Sequence, residues 1–339
     1  MTNRILTLLL AFLCFVPAAV AQLQFKGLPL TGRLSSNMIN SIFQDKAGYI
    51  YFGTATGLNR FDGYSVQTFH NKRHGAVLTS DNFIEDIQQS ANREMWIKIG
   101  KGYVIFNPAT EQFEDNVKQR MTDIGVPDKP NIARIEDDYE WFYVKNRGIY
   151  RRKVGEGKAV KVEDKAGYFQ KVEVTDIRKI NAAQMAVVDG RGHLILIDTE
   201  ANKVARKLAN PLNHSRIFSI YQIFVDKNKD LWVYGEPGVW IYNFNGGGWS
   251  DNYQGISLKM PMIKTIIHDS KDNIWIGFDH DGIWEITPDG EILKALNVQG
   301  NDQSLSNNSV TALLEDRTGT LWVGTRKSGV SMYSHQTSK

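Results

Sequence analysis

The sequence predicts an all-β fold, a seven-bladed β-propeller built from four-stranded antiparallel blades. The first observation behind this prediction is an aromatic-centred phrase that recurs at intervals of 43 to 47 residues. Its seven equivalent positions are Tyr51, Trp96, Trp141, Ala186, Trp232, Trp275 and Trp322. A fixed period of about 45 residues is typical of propellers, in which each repeat forms one blade.

Two further observations support this fold. The segments 95–97 and 231–233 around the key positions are apolar on both faces, as expected of strands that are covered on both sides. A glycine follows every key position by six or seven residues, which suits a tight loop between antiparallel strands. Seven similar units also argue against dividing residues 22–339 into separate domains, because stacked blades share a continuous interior.

The first 21 residues have the pattern of a secretory signal peptide. Arg4 supplies a positive charge, residues 5–15 are apolar, and residues 19–21 (Ala-Val-Ala) form a cleavage site. The alternative is an uncleaved membrane anchor, for which the apolar stretch is short. We therefore expect export to the periplasm, with the only cysteine, Cys14, removed with the leader.

The next segment, residues 23–28, looks extended but belongs to no repeat. The seventh unit ends at Tyr333, which leaves too few residues for a secure outer strand. We predict that residues 23–28 pair as the outer strand of the last blade and so close the ring. Closure removes sheet edges that would otherwise invite aggregation.

Each repeat unit reads as four strands in order. An apolar run such as residues 39–43 or 310–314 comes first, and a polar turn follows. The turn is opened by an aspartate six residues before the key aromatic, a residue whose carboxylate can accept bonds from backbone N–H groups further along the turn. These aspartates are Asp45, Asp226, Asp269 and Asp316. The aromatic strand, the glycine loop, a third strand and a short outer strand complete the unit.

Charge and composition exclude some functions. The chain has 40 Lys and Arg against 37 Asp and Glu, with no long basic run. This balance does not predict nucleic-acid binding by this domain. Residues 226–230 resemble the start of a calcium loop, but Leu231 and Pro237 stand where such a loop needs glycine and glutamate. We expect no metal and no cofactor.

Three phrases carry a resemblance to a known family. Residues 34–39 (Leu-Ser-Ser-Asn-Met-Ile) and 305–310 (Leu-Ser-Asn-Asn-Ser-Val) are the same opening, and residues 57–63 (Gly-Leu-Asn-Arg-Phe-Asp-Gly) follow the first key strand. This pattern resembles the two-component-regulator propeller repeat, which occurs in periplasmic sensor regions of hybrid two-component systems. The spacing covers the mature chain, and the motif is specific in units one, six and seven.

The resemblance implies a function as well as a fold. Members of this family join two propellers, an immunoglobulin-like domain, a transmembrane helix, a histidine kinase, a receiver and a DNA-binding module. They sense oligosaccharides from glycan breakdown and induce polysaccharide-utilisation genes. This chain departs from that plan because it stops after one propeller, so a fragment or a truncated gene is expected. Signalling, membrane attachment and the homodimer of an intact receptor would depend on downstream segments.

The loops between second and third strands should open on one end of the propeller. They carry seven basic and four acidic side chains, which favours a cationic mouth for a uronate- or sulfate-bearing oligosaccharide. The alternative is that these are ordinary solvated loop tips. Trp249, after three glycines, is a candidate for stacking on a sugar. The candidate ligand-binding residues are Lys98, Lys101, Lys145, Arg147, Arg191, Trp249, His280, Arg326 and Lys327.

Two other functions stay open at this point. A glycosidase or lyase propeller needs a pair of carboxylates placed across the scissile bond, and no such pair is recognisable in the sequence. A propeller that only scaffolds protein partners would have the same blade pattern. We predict no catalytic residues in this chain.

Overall fold

The structure is a computed structural model that describes residues 23–29, 31–73, 75–100, 102–214, 217–260 and 262–334. The predicted signal peptide, residues 1–21, lies outside them. Within these ranges, no helix has both the length and the apolar character needed to cross a membrane.

Seven four-stranded antiparallel sheets form the molecule, as predicted. The first strand, β1 (Lys26–Gly27), belongs to the last blade. Blade 1 has β2 (Ile39–Gln44), β3 (Ile50–Thr54), β4 (Gly57–Phe61) and β5 (Val66–Phe69); a hairpin, β6 (Lys72–Arg73) and β7 (Ala76–Val77), follows. Blade 2 has β8 (Ile84–Gln89), β9 (Met95–Ile99), β10 (Gly102–Asn107) and β11 (Gln112–Glu114). Blade 3 has β12 (Ile132–Glu136), β13 (Tyr139–Val144), β14 (Gly148–Lys153) and β15 (Val160–Lys161).

The remaining blades repeat the same order. Blade 4 has β16 (Val174–Asn181), β17 (Gln184–Asp189), β18 (Leu194–Asp198) and β19 (Lys203–Leu208). Blade 5 has β20 (Gln222–Val225), β21 (Leu231–Gly235), β22 (Gly238–Asn243) and β23 (Gly248–Ser250), followed by a hairpin, β24 (Asn252–Tyr253) and β25 (Ile256–Ser257). Blade 6 has β26 (Ile263–His268), β27 (Ile274–Phe278), β28 (Ile283–Ile286) and β29 (Ile292–Ala295). Blade 7 has β30 (Val310–Glu315), β31 (Thr320–Thr325) and β32 (Val330–Ser334), completed by β1.

Short helices lie only in connections between blades in the described part of the chain. They are a 3-10 turn (Thr31–Arg33), α1 (Thr79–Asn82), α2 (Val117–Asp123) and α3 (Tyr168–Lys171). The sequence analysis did not predict them. The longest, α2, buries Val117 and Met121 against the seam between blades 2 and 3.

All seven key positions lie on second strands, including Ala186, where the side chain is not aromatic. Each hydrophobic cluster joins one blade to the next, so the apolar interior runs around the ring between the blades. The seven repeat glycines all have positive φ, as predicted. Gly282 illustrates the need, because a Cβ there would lie 2.2 Å from the carbonyl oxygen of Ala295.

The predicted ring closure is confirmed. Strand β1 pairs antiparallel with β32, which joins the two ends of the described chain within one sheet. Phe25 is fully buried and packs with Tyr333 at a ring-centroid distance of 5.5 Å. Leu23 and Phe25 pack into the seam between blades 6 and 7, and Leu28 packs into the seam between blades 7 and 1.

The aspartate turns make a hydrogen bond to the key tryptophan that the sequence did not predict. In blades 5, 6 and 7 one carboxylate oxygen accepts backbone N–H groups two and four residues further on. The other oxygen accepts the indole N–H of the key tryptophan, at 3.1 Å in Asp226–Trp232, 2.9 Å in Asp269–Trp275 and 2.8 Å in Asp316–Trp322. The six-residue spacing therefore supplies a partner for a tryptophan N–H that would otherwise be buried alone.

A buried glutamate beside one of these turns predicts a pH-dependent stability. Glu285 is 3% exposed and pairs with Trp275 across β27 and β28. Burial raises the pKa of Glu285 from 4.5 to about 7, and the charge of Asp269 adds to the shift. The unfolded chain releases this proton at lower pH than the folded chain does. The stability that Glu285 contributes is thus complete below pH 4.5 and is lost as the pH rises through 7.

We expect Glu285→Gln to abolish that loss. At pH 8.5 the variant should be about 2 kcal/mol more stable than the parent, a value reduced by solvent screening, and at pH 4 the two should differ by less than about 0.5 kcal/mol. Urea unfolding at both pH values measures this. Replacement of the exposed Glu200 by glutamine is the control and should leave the pH profile unchanged. Parallel pH profiles for the parent and Glu285→Gln would contradict the prediction.

Candidate functional site

The first strands of all seven blades surround an axial channel with a volume of about 820 Å³. Blades 1, 5 and 7 contribute neutral polar side chains such as Asn40, Gln222 and Thr311. Blades 2, 3, 4 and 6 contribute charged ones. The channel is therefore polar along its wall, whereas the seams between the blades are apolar.

The centre of the charged wall is Asp176 on β16, whose side chain is 3% exposed. Its Oδ1 accepts hydrogen bonds from Arg134 Nη2 at 2.7 Å and from the Ile177 N–H at 2.9 Å. Its Oδ2 accepts from Arg178 Nε and from the Ile223 N–H, both at 3.0 Å. Asp176 thus ties blades 3, 4 and 5 together, and each of its oxygens has two donors.

Blade 2 extends this network. Asp86 lies 3.8 Å from Arg134 Nη1 and accepts a 2.8 Å hydrogen bond from Gln88 Nε2. Gln88 in turn accepts from the Ile135 N–H at 2.8 Å, which connects blades 2 and 3. Arg134 Nε is buried and has no hydrogen-bond partner among the described residues.

Two carboxyl groups of this wall, those of Glu136 and Asp176, differ in electrostatics. Burial raises the pKa of Glu136, although Arg178 and Arg134 oppose the shift. Burial acts in the same direction on Asp176, but Arg178, Arg134 and the Ile223 N–H outweigh it and hold the pKa of Asp176 below its usual value. The two arginines thus outweigh the effect of burial on the pKa of Asp176 but not on the pKa of Glu136.

We call the end of the channel bordered by the loops between second and third strands the mouth. Several of the basic candidates there are paired with acids. Lys98 lies 3.4 Å from Glu85, Lys145 lies 2.8 Å from Glu173, and Arg326 lies 3.6 Å from Asp279. The Nδ1 atom of His280 is 3.0 Å from the same Asp279. Much of the predicted positive charge at the mouth is thus balanced locally.

Three other candidates are exposed and make no ion pair within the described ranges. They are Arg147 in blade 3, Arg191 in blade 4 and Lys327 in blade 7. Arg147 and Arg191 lie on neighbouring blades. Lys101, also predicted as a ligand-binding residue, lies outside the described residues.

Trp249, the candidate for stacking on a sugar, is part of a strand and not of a loop. It lies on β23, the outer strand of blade 5, and is half-buried. Its ring packs edge-on against Tyr242 at a centroid distance of 5.5 Å. Gly246 and Gly247 lie in the turn and Gly248 is the first residue of β23, so the ring packs between the third and fourth strands of the blade.

Sequence reasoning missed Arg134, Asp176 and Arg178, which form the channel network. The first strands were inferred from blades with apolar copies, and these three residues lie in the degenerate blades 3 and 4. The available signal was the presence of charged side chains inside a strand expected to be innermost. Such residues are costly to bury and need partners there.

Comparison with known proteins supports the resemblance to the two-component regulator propeller. A family model described as the two-component regulator propeller matches residues 33–56 and 304–327. These segments fall on blades 1 and 7, where the sequence motif was most specific. No curated protein is detectably similar to the chain in sequence.

Several solved structures share the fold. The extracellular domain of a protein described as a hybrid two-component system of B. thetaiotaomicron aligns with a TM-score of 0.72 and 19% identity, over 92% of this chain and 42% of that one. A second such domain of the same organism gives a TM-score of 0.69 and 20% identity over 92% and 40%. A streptogramin B lyase gives 0.60 and 12% over 91% and 96%. This chain spans about two fifths of the length of the two extracellular domains.

The lyase match means that the propeller fold alone does not decide between binding and catalysis. The two segments that match the family model are stronger evidence of a relationship than the shared fold. The chain is a seven-bladed β-propeller whose first and last blades match the family model of the two-component regulator propeller.

Proposed function

We propose that this chain is a ligand-sensing propeller of a two-component regulator, located in the periplasm, which binds an oligosaccharide at the mouth of the axial channel. The observation that carries the proposal is the polar channel of about 820 Å³ in a propeller of this repeat family. Its size falls in the range of ligand-binding clefts in proteins, roughly 300–1,000 Å³.

The chemistry of the channel wall supports a polyhydroxylated ligand. Hydrogen bonds between blades hold Arg, Asp, Asn and Gln side chains in place around the axis. Fixed donors and acceptors recognise hydroxyl groups with little loss of side-chain entropy on binding. Acidic groups of the ligand would be met by Arg147, Arg191 and Lys327.

A binding role fits this wall better than catalysis. Asp176 has two hydrogen-bond donors on each oxygen, so it has no free lone pair with which to take a proton from a substrate or water. A glycosidase needs a second working carboxylate opposite the acid. We propose that Asp176 is structural and that the domain has no catalytic activity.

In this proposal ligand binding is transmitted to a kinase and controls transcription of polysaccharide-utilisation genes. The receptor would act as a homodimer, and this domain would not contact nucleic acid. The polar channel supports a ligand sensor over a pure scaffold.

Calorimetric titration of the purified protein with neutral, uronate-bearing and sulfated oligosaccharides tests the proposal. We expect saturable binding of at least one member of the panel. For an acidic ligand, replacement of Arg147 and Arg191 together by alanine should weaken binding about tenfold or more, because each charged hydrogen bond contributes about 1.5–3 kcal/mol. Lys203→Ala, on the outer strand of blade 4, is the matched control and should bind normally.

The same samples separate the alternatives. Absence of binding across the panel would overturn the sensor proposal and favour a scaffold. Release of shortened products from any oligosaccharide would instead identify an enzyme.

A further inference from the structure

A second, smaller cavity lies beside the channel mouth on blade 6. Its volume is about 330 Å³. Phe278, Trp284 and Met260 give it an apolar lining, and Asp279 and His280 give it a polar one. None of these residues takes part in the ion network around Asp176.

The walls of this cavity, which we call the blade 6 pocket, are held by backbone hydrogen bonds. The Asp279 N–H donates to the Met262 carbonyl at 2.9 Å, and the Met262 N–H donates to the Glu236 carbonyl of blade 5 at 3.0 Å. Trp284 is fixed by Phe278, at a centroid distance of 5.0 Å, and by the Lys294 ammonium 3.6 Å from its ring centre. The pocket is therefore preformed.

Asp279 is the unusual residue in the pocket lining. Its side chain is only 6% exposed. Its Oδ1 is buried and accepts no hydrogen bond from the described residues, with the His280 Nδ1 atom 3.0 Å away. A buried acceptor without a donor costs about 1–3 kcal/mol. A ligand hydroxyl that displaces the exposed His280 ring from this oxygen would supply a donor and recover that free energy.

The surroundings of Asp279 select the kind of donor. Its Oδ2 lies 3.6 Å from Arg326 Nη1 and 3.8 Å from Lys264 Nζ, so its negative charge is already compensated. The lining also holds Lys259, His280 and Asp281, so cationic and anionic side chains are mixed and neither sign of ligand charge is favoured. A neutral hydroxyl can donate to Asp279 without bringing a further charge.

We infer that the blade 6 pocket is a subsite for one neutral pyranose unit. One face of the sugar ring packs on the apolar lining formed by Phe278, Trp284 and Met260, and a hydroxyl donates to Asp279. This inference rests on the proposed function, in which the remaining units of the oligosaccharide extend toward the channel. It assigns a neutral unit to blade 6, whereas acidic units would lie near Arg147 and Arg191.

The test uses saturation-transfer NMR on the full chain with methyl glycosides of glucose, galactose, mannose and glucuronic acid as probes. We expect at least one neutral glycoside to receive saturation on its ring C–H protons, and the glucuronide to receive little. Asp279→Ala and Met262→Arg should each reduce this signal at least fivefold. The second variant blocks the pocket from its exposed edge, so it keeps the test valid if loss of Asp279 impairs folding.

Asp289→Asn, an exposed change in the turn between β28 and β29 of the same blade, should retain the signal. Absence of binding by every neutral glycoside, preference for the glucuronide, or full signal in both Asp279→Ala and Met262→Arg would overturn the inference. Titration of longer oligosaccharides tests the proposed function separately. If longer oligosaccharides bind and the pocket variants do not weaken this binding, the subsite in blade 6 is contradicted and the proposed function is not.

Discussion

Replacing Phe25 by alanine is expected to lower the free energy of unfolding by about 4 kcal/mol. Phe25 is fully buried between blades 6 and 7 and packs with Tyr333. Its N–H also donates to the Gln303 carbonyl at 2.9 Å. The side chain thus holds the segment that joins the first strand to the last blade.

The effect should be larger than that of an ordinary cavity, because it weakens the closure of the ring. Strand β1 is two residues long and keeps β32 from being a free sheet edge. We therefore expect Phe25→Ala to increase amide hydrogen exchange in β32 and in the seams on both sides of blade 7. Exchange within blades 3 and 4 should change only as the global stability changes.

Urea unfolding followed by tryptophan fluorescence gives the loss of stability, and hydrogen-exchange mass spectrometry locates it. Lys26→Ala is the matched control, since this neighbouring side chain is exposed. Its stability should lie within about 0.5 kcal/mol of the parent. A Phe25→Ala protein with parental stability and parental exchange in β32 would show that β1 does not hold the ring closed.

The contrast between the correct and the missed predictions has a physical cause. The seams between blades can be predicted from hydropathy, because any large apolar side chain at the key position fills the space between two sheets. Even Ala186 could be placed by spacing, since its neighbours Met185 and Val187 remained apolar and buried. Periodicity and hydropathy therefore predicted the ring, its closure and the positions of the turns.

The residues that line the channel are particular to this chain, and the sequence period does not predict them. Its wall depends on which residue of each first strand faces the axis, and five of the seven first strands contain a register irregularity. Such an irregularity reverses the alternation of side chains beyond it. Arg134 on β12, which lacks one, therefore meets Asp176 on β16, which has one, in a way that their sequence positions did not indicate.

The charge of the mouth is also hard to predict from the sequence. The charged residues of the loops can be counted, but the charge available to a ligand depends on their ion-pair partners in other segments. Lys145 is paired with Glu173 of the next blade and Arg326 with Asp279 of the preceding one. Counting loop charges therefore overestimated the positive charge available to a ligand, and it left Arg147, Arg191 and Lys327 as the candidates for acidic groups.

The other large effect is expected at the channel network. Asp176→Asn should destabilise the protein by about 3–5 kcal/mol, because it removes the counter-charge of the buried Arg134 and places an amide N–H₂ against existing donors. Arg134 is 12% exposed at its side chain, and its other acidic neighbour among the described residues is Asp86 at 3.8 Å. Asp302→Asn, at an exposed position, is the control and should be neutral.

A double-mutant cycle separates this network from simple loss of one contact. Arg134→Met alone should cost about 3 kcal/mol, since it leaves Asp176 with Arg178 as its only cation. The double variant Arg134→Met with Asp176→Asn should be more stable than the sum of the two losses predicts by about 1–3 kcal/mol, because no buried charge is then left alone. Urea unfolding of the four proteins measures this coupling. Strictly additive losses would mean that Arg134 and Asp176 stabilise the channel wall independently, and that blades 3, 4 and 5 are held together by their apolar seams alone.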